Sequence, residues 1–185
     1  MTFSLSTLNT VSKKDALAMI EPLVEKSPWV AAAALTERPF SSDKHVAKAL
    51  VKVILSEDMP SQVALFNAHP ELAGAEAKAG VMTKESTSEQ DRLGLMHLSS
   101  QEAQQLAHLN AAYKSKFGHP FILALHRVPD REALFEIFER RLKMSEIEEH
   151  TATLSEIASV ISARCRHAFG DPLPSQVPNT LKNPE

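Results

Sequence analysis

Cysteine, glycine and excess positive charge are all scarce in this 185-residue sequence, and each shortage excludes something. The single cysteine, Cys165, leaves no partner for a disulfide within the chain, so a reducing compartment suits it. Lys and Arg number 20 against 23 Asp and Glu, for a formal net charge of -3. A nucleic-acid binder would show a basic excess and a basic stripe, and neither is present. The two signs are interspersed, with no acidic tail. Long apolar runs are missing too: the longest uncharged one, Trp29 to Leu35, falls far short of the ~20 residues of a membrane span. Neither nucleic acid nor membrane is therefore an expected partner. Residues 1–9 lack the basic and apolar regions of a signal peptide, and Leu181 to Glu185 carries no peroxisomal tripeptide, so the cytoplasm is the expected location.

Five glycines and few β-branched runs disfavour sheets. Ala, Leu, Glu, Lys and Gln dominate instead, residues that lose little rotamer entropy in a helix. At 43% hydrophobic residues the chain can bury one core. The expected fold is all-α: a single compact domain of about eight helices over residues 1–170, with a proline-rich tail at 171–185. Start signals place the helices. Ser12, Ser42, Asp58, Ser99 or Ser100, Asp130 and Ser145 stand as N-caps before helical apolar periodicity, and Ser27-Pro28 pairs a cap with a proline at the first helical position. Pro22 breaks the first pattern, while Pro70 disfavours helix at His69 and ends the fourth. Residues 69–85 form a long connection of the kind that is often functional. Ser86 and Glu89 have capping-box spacing and open a helix to about Leu95. Phe121 to Leu125 is a short apolar run that periodicity leaves open as a strand or a buried extended segment.

Motifs for bound cofactors are absent: no GxGxxG, no Walker loop, no CxxC and no HExxH. No two of the eight histidines stand at i, i+4, the spacing that puts two imidazoles on one metal. Neither metal nor cofactor is expected. Cys165 falls on an apolar helix face, as a buried inert thiol would. Three places remain for chemistry. His69, between a helix end and Pro70, has a set backbone and suits acid–base work near neutral pH; capping the preceding carbonyls is an equal alternative. Ser86 and Glu89 read first as a helix cap, yet a helix N-terminus also suits a carboxylate or carbonyl. Arg164 lies about 20° from Ile157 at ~100° per residue, on the buried face, where a guanidinium needs a carboxylate such as Glu89 or a bound anion. His150 shares that face and reads as a packed histidine.

These segments, in order, resemble the 2-oxo-4-hydroxy-4-carboxy-5-ureidoimidazoline (OHCU) decarboxylase family. The likeness runs through Leu5 to Asn9, Ser27 to Val30, Arg38 to Phe40, His69 to Gly74, Glu85-Ser86 with Glu89-Gln90, Asn110 to Tyr113, Lys116 to Ile122, Phe138 to Leu142, and the helix bearing Glu156, Ile157 and Arg164. The resemblance implies an all-α, cofactor-free and usually dimeric enzyme, hence a homodimer here, that decarboxylates OHCU to (S)-allantoin and CO2 in urate catabolism. It implies His69 and Glu89 as catalytic residues, and Ser86, Gln90 and Arg164 as polar contacts to the substrate. Pro70 with Phe121, Ile122, Leu123, Ala124 and Leu125 would line the pocket, partly through main-chain groups. One departure stands out: His119 follows Lys-Phe-Gly, where the family commonly has Phe. It either adds an imidazole near the pocket or marks tolerance there.

The chemistry implied needs no electron sink beyond the substrate, whose imine accepts the pair left by CO2. In this reading Arg164 orients an anionic or carbonyl group by a forked contact. Two rival readings make distinct demands. A helical adaptor requires a large exposed apolar patch and indifference to His69. A lyase or hydrolase for another ureido acid would use His119.

Overall fold

The computed structural model describes residues 3–170; the tail expected at 171–185 lies outside them. Ten α-helices and four short 3-10 turns follow one another, and no strand occurs among the described residues. The helices are α1 (Leu5–Thr10), α2 (Lys13–Ile20), α3 (Pro28–Ala34), α4 (Asp43–Ser56) and α5 (Met59–Phe66), then α6 (Ala75–Ala79), α7 (Lys84–Asp91), α8 (Ser100–Phe117), α9 (Arg131–Arg141) and α10 (Glu146–Phe169). Eight of them run seven residues or more, matching the expected number. The two unforeseen ones, α1 and α6, are single turns and a fraction, too short for periodicity to reveal.

Capping chemistry explains most of the boundaries. Ser12, Ser42, Asp58, Asp130 and Ser145 each accept a backbone N–H of the first turn. Ser99 and Ser145 form complete capping boxes with Glu102 and Glu148. Gly118, at φ +75°, ends α8 in the left-handed conformation. Pro22 stops α2 at Ile20 and passes the chain into a 3-10 turn, Glu21–Leu23. Ser27 stands at the N-cap of α3 but makes no side-chain cap bond. Ser86 and Glu89 are not the cap of α7: Thr83 is, its hydroxyl accepting the Ser86 N–H. The serine and glutamate therefore sit inside the helix, and their side chains are free for other contacts. The connection expected over 69–85 is broken by α6.

Two apolar clusters make the core. One gathers α1 to α5 with the C-terminal half of α10, around Leu8, Ile20, Leu50, Ile54, Phe66 and Ile161. The other gathers α8 and α9 with Leu93 and Leu95 after α7 and the segment from Phe121 to Val128, around Leu106, Tyr113, Phe121, Leu134 and Phe138. α10, about 36 Å long at ~1.5 Å per residue, packs along α4 and presents Arg164 near the seam of the two clusters. The extended run 121–124 crosses the same seam, with Phe121 in the second cluster and Ile122 in the first.

Candidate functional site

A small cavity opens at that seam. His69, Pro70, Leu72, Ser86, Glu89, Gln90, Phe121, Ile122, Leu123, Leu125, Val160 and Arg164 line it. Ten of the eleven residues singled out from sequence are thus brought together from four segments. The exception is Ala124, fully buried and absent from the lining; its N–H is held by the Glu156 carboxylate, 2.8 Å away. A larger groove, about 700 Å³, runs between α6 and α8 past Asn110 and Lys114. Alanines and leucines dominate its wall and no histidine reaches it, so of these two cavities the smaller is the one with a histidine in its lining.

His69 follows α5 in a turn whose N–H returns to the Phe66 carbonyl at 3.1 Å. Its ring Nδ1 lies 3.1 Å from the Leu65 carbonyl oxygen. A carbonyl only accepts, so Nδ1 carries the hydrogen and Nε2 the lone pair. Nε2 has no protein partner among the described residues. Burial pushes the imidazole down to about 4, against the raising effect of the Leu65 carbonyl and the Glu25 carboxylate. The ring is therefore neutral at pH 7, with a free basic nitrogen. Capping and chemistry, the two alternatives for this residue, are not exclusive: Nδ1 caps the Leu65 carbonyl and Nε2 is left available.

Opposite stands an ion cluster. Arg164 Nε and Nη2 each donate to one oxygen of Glu89 at 2.8 Å, a two-point fork. Nη1 faces the Glu25 carboxylate at 3.3 Å and the Pro22 carbonyl at 3.5 Å, and Nη2 also approaches the Ser86 hydroxyl at 3.4 Å. Burial alone would lower the guanidinium, but the hydrogen bonds and charge of Glu89, with Glu25, hold it above its ordinary value. Its side chain is 7% exposed and that of Glu89 31%, so Glu89 is the member that solvent and ligand can reach. Of the two partners expected for the Arg164 guanidinium, a carboxylate such as Glu89 or a bound anion, it is Glu89 that takes the fork. Gln90 is likewise engaged at both ends. Its oxygen accepts the Ala73 N–H at 2.8 Å, and its nitrogen donates to the Glu71 carbonyl and the Met82 sulfur. It thereby fixes the loop after Pro70, where Ala73 adopts the left-handed φ of +47°.

The segment 121–125 forms no sheet, so its backbone is held by side chains. Arg141 Nη1 donates to the Ile122 carbonyl at 2.8 Å, Arg92 to those of Leu125 and Val128, and Glu156 accepts from Ala124. Behind it Arg141, 3% exposed, forks onto the fully buried Glu149, which also takes the Tyr113 hydroxyl. His119 is packed away from the cavity, its ring against Phe66 and Tyr113 and its Nδ1 donating to the Pro120 carbonyl at 2.9 Å. It brings no imidazole to the pocket, and burial lowers its basicity. His150 packs on Phe66 and meets Gln62 at 2.7 Å, as a packed histidine should. Cys165 is fully buried and its thiol is pushed up to about 12 by burial, then by Asp43. It is inert.

Sequence reasoning missed Glu25 and Arg141. Glu25 sits between Val24 and Lys26 in a turn, with nothing in the pattern to separate it from a solvated charge. Arg141 lies in an Arg-Arg pair at a helix end, where cations are ordinary.

The all-helical fold thus brings a neutral histidine and an arginine-held carboxylate to the lining of one small cavity, the class of arrangement suited to acid–base chemistry. Comparison with known proteins narrows the class. The OHCU decarboxylase profile matches residues 9–166. The 2-oxo-4-hydroxy-4-carboxy-5-ureidoimidazoline decarboxylase of Xenopus laevis is 29% identical over 174 residues, covering 94% of this chain and 99% of its own. That of Mus musculus is 33% identical over 80% of this chain and 83% of its own, and that of Haloferax volcanii 30% over 88% and 96%. A solved OHCU decarboxylase in the presence of (S)-allantoin shares the fold at TM-score 0.63 and 20% identity, covering 79% of this chain and 94% of its own. An (S)-allantoin synthase does so at 0.69 and 18%, covering 90% of this chain and 54% of its own. The chain belongs to the OHCU decarboxylase family, carboxy-lyases of uric acid degradation.

Proposed function

We propose that this chain converts OHCU to (S)-allantoin and CO2 in the cavity between His69 and Glu89, with His69 as the acid–base group. The observation that carries the reading is the fixed neutral tautomer of His69, whose Nε2 is unpartnered among the described residues. OHCU bears a carboxylate and a hydroxyl on one ring carbon beside an imine carbon. CO2 leaves as the bond to the carboxyl carbon breaks; its electron pair forms a double bond to the imine carbon, and the imine nitrogen takes up one proton from solvent. Nε2 then accepts the hydroxyl proton as that enol carbon becomes a carbonyl, and returns a proton to one face of the former imine carbon, so that overall one proton replaces CO2. Positioning and electrostatics then supply the catalysis.

Glu89, locked by Arg164, is an acceptor suited to ring or ureido N–H groups, and Ser86 and Gln90 bound the same wall. With the Arg164 fork taken, donors for the substrate's anionic group come from elsewhere. The N–H groups of Ile122 and Leu123 make no hydrogen bond to protein among the described residues, which supports main-chain contacts from this segment. Phe121, Leu125 and Pro70 give the cavity an apolar part of its lining. We also propose a homodimer, as the family resemblance implies, to be checked by sedimentation. The reduced, buried Cys165 needs no oxidising compartment, which supports the cytoplasm as the setting.

The test generates OHCU in situ from urate with a urate oxidase and a hydroxyisourate hydrolase, and follows circular dichroism for one allantoin enantiomer. Rapid appearance of that signal, abolished by His69→Asn, is expected. Racemic allantoin at the spontaneous rate, from folded protein, would overturn the reading.

A further inference from the structure

The ion cluster contains a carboxylate that the cavity does not touch. Glu25 is fully buried, and three groups converge on it. The Ser86 hydroxyl donates to Oε2 at 2.7 Å, the Thr83 hydroxyl lies 3.0 Å from both oxygens, and Arg164 Nη1 lies 3.3 Å from Oε2. Both hydroxyls belong to α7, the helix that carries Glu89, and Thr83 is also its N-cap. Glu25 thus ties the start of α7 to Arg164 on α10, and Arg164 in turn grips Glu89 one helical turn after Ser86. The chain goes to some trouble to aim it there. Lys26, the next residue, takes the left-handed φ of +42°, and its amine is pinned by Glu76 at 2.7 Å. A strained backbone beside a buried charge, with no cavity contact of its own, is the mark of a group kept for what it does to others.

We propose that Glu25 is a positioning residue for decarboxylation: it holds Arg164 and Ser86 so that Glu89 is presented in one geometry, and supplies the negative charge under which His69 works. The inference rests on the decarboxylase reading of the cavity. The charged groups acting on His69 are Glu25 and Arg164, with opposite signs, and Glu89 bounds the same cavity. Arg164 with Glu89 alone would leave the cavity wall neutral. Glu25, behind that wall, makes the ion cluster as a whole net negative, which favours a proton arriving at Nε2 during turnover.

Two variants test this. Glu25→Gln keeps the shape and an acceptor for the two hydroxyls but removes the charge. Glu25→Asp keeps the charge but draws it back from Arg164. In Glu25→Gln, kcat is expected to fall ~10-fold or more, since misplaced catalytic groups lose rate steeply, with KM less affected. The ring signals of His69, assigned by their loss in His69→Asn and followed from pH 7 down to the lowest pH at which the protein stays folded, should titrate at lower pH than in the parent. Glu25→Asp should lose kcat while keeping the parent's His69 titration. A folded Glu25→Gln with parental kcat, or with reduced kcat and an unmoved His69 titration, overturns the proposal. So does parental kcat in Glu25→Asp. The His69 titration is read in the free protein and needs no turnover; an inactive parent chain would sink the decarboxylase reading and leave the titration to judge Glu25.

Discussion

His69 should make this protein sensitive to mild acid in a way that one substitution removes. Its imidazole ionises near 6.5 in an unfolded chain and at about 4 in the folded one, chiefly because burial disfavours the charged ring. A group whose folded value is depressed contributes stability that is complete above its unfolded value and lost as pH falls through its folded value. Between pH 6.5 and 4 the unfolded chain takes up a proton that the folded chain refuses, so stability must fall with pH in that window. At ~1.4 kcal/mol per pKa unit the whole effect is about 3.4 kcal/mol below pH 4, and roughly 2 kcal/mol of it is lost between pH 7 and pH 5. His69 keeps some solvent contact, which trims the second figure to ~1–2 kcal/mol. Asparagine cannot titrate. Urea unfolding of the parent and of His69→Asn at pH 7 and pH 5 therefore gives a difference that narrows by this amount at pH 5. The bond lost to Leu65 adds a constant offset, and the other carboxylates and histidines cancel between the two proteins. A difference that is flat across the two pH values would refute the claim that His69 is held neutral, and with it the base role assigned to Nε2.

Arg141→Ala removes the fork on a fully buried Glu149 and the donor to the Ile122 carbonyl. A stability loss of ~3–5 kcal/mol is expected, read by urea denaturation, while Arg141→Met with Glu149→Leu should recover most of it. Ala73→Gly should stabilise by ~0.5–1 kcal/mol, because relief of a left-handed alanine outweighs the entropy of glycine, and calorimetry would show the rise in Tm. His119→Phe should leave the rate of enantiomer formation unchanged, since His119 does not line the cavity; a large loss of kcat would mean that the packing of Phe66 and Tyr113 on this ring transmits to His69.

The helices were legible because each boundary is a local chemical event. A serine or aspartate before an apolar period satisfies backbone donors within three residues, and no distant partner is needed. The same logic misplaced one cap. Thr83 and Ser86 both precede a polar helix, α7 has little apolar periodicity to break the tie, and the serine with a glutamate three residues on looked the better box. What chose Thr83 was tertiary: the Ser86 hydroxyl was wanted at Glu25, sixty-one residues away in sequence. The site followed the same division. Arg164 was visible because an arginine on a buried helical face demands a partner, and His69 because proline stiffens its backbone. Glu25 and Arg141 were invisible because a charge in a turn or at a helix end ordinarily costs nothing, and burial is a property of the whole fold. The family resemblance supplied the catalytic role of Glu89, the substrate contact of Gln90 and the pocket role of the 121–125 segment, whose own pattern left strand and extended loop open.

That segment shows how a helical protein builds a polar wall without a sheet. In a β-sheet, neighbouring strands would satisfy the backbone of 121–125 on both edges and leave nothing for a ligand. Here the burden falls on three long side chains from three helices: Arg92 of the α7 end, Arg141 of α9 and Glu156 of α10. Arg141 and Glu156 each meet one backbone group of the segment, Arg92 meets the carbonyls of Leu125 and Val128, and each is charged, so the bonds are stronger than neutral ones. Phe121 stacked on Phe138, with the Arg141 guanidinium 5.0 Å from the Phe121 ring centre, fixes the remaining freedom. The result is a rigid strip whose Ile122 and Leu123 N–H groups are uncommitted, opposite a histidine with one uncommitted nitrogen. Preorganised donors aimed at an anion cost no reorganisation when charge moves, and a decarboxylase that lacks an electron sink of its own has most to gain from them. On the proposed reading the main chain meets the substrate's anionic group, which leaves the Arg164 guanidinium to set the geometry of the Glu89 carboxylate.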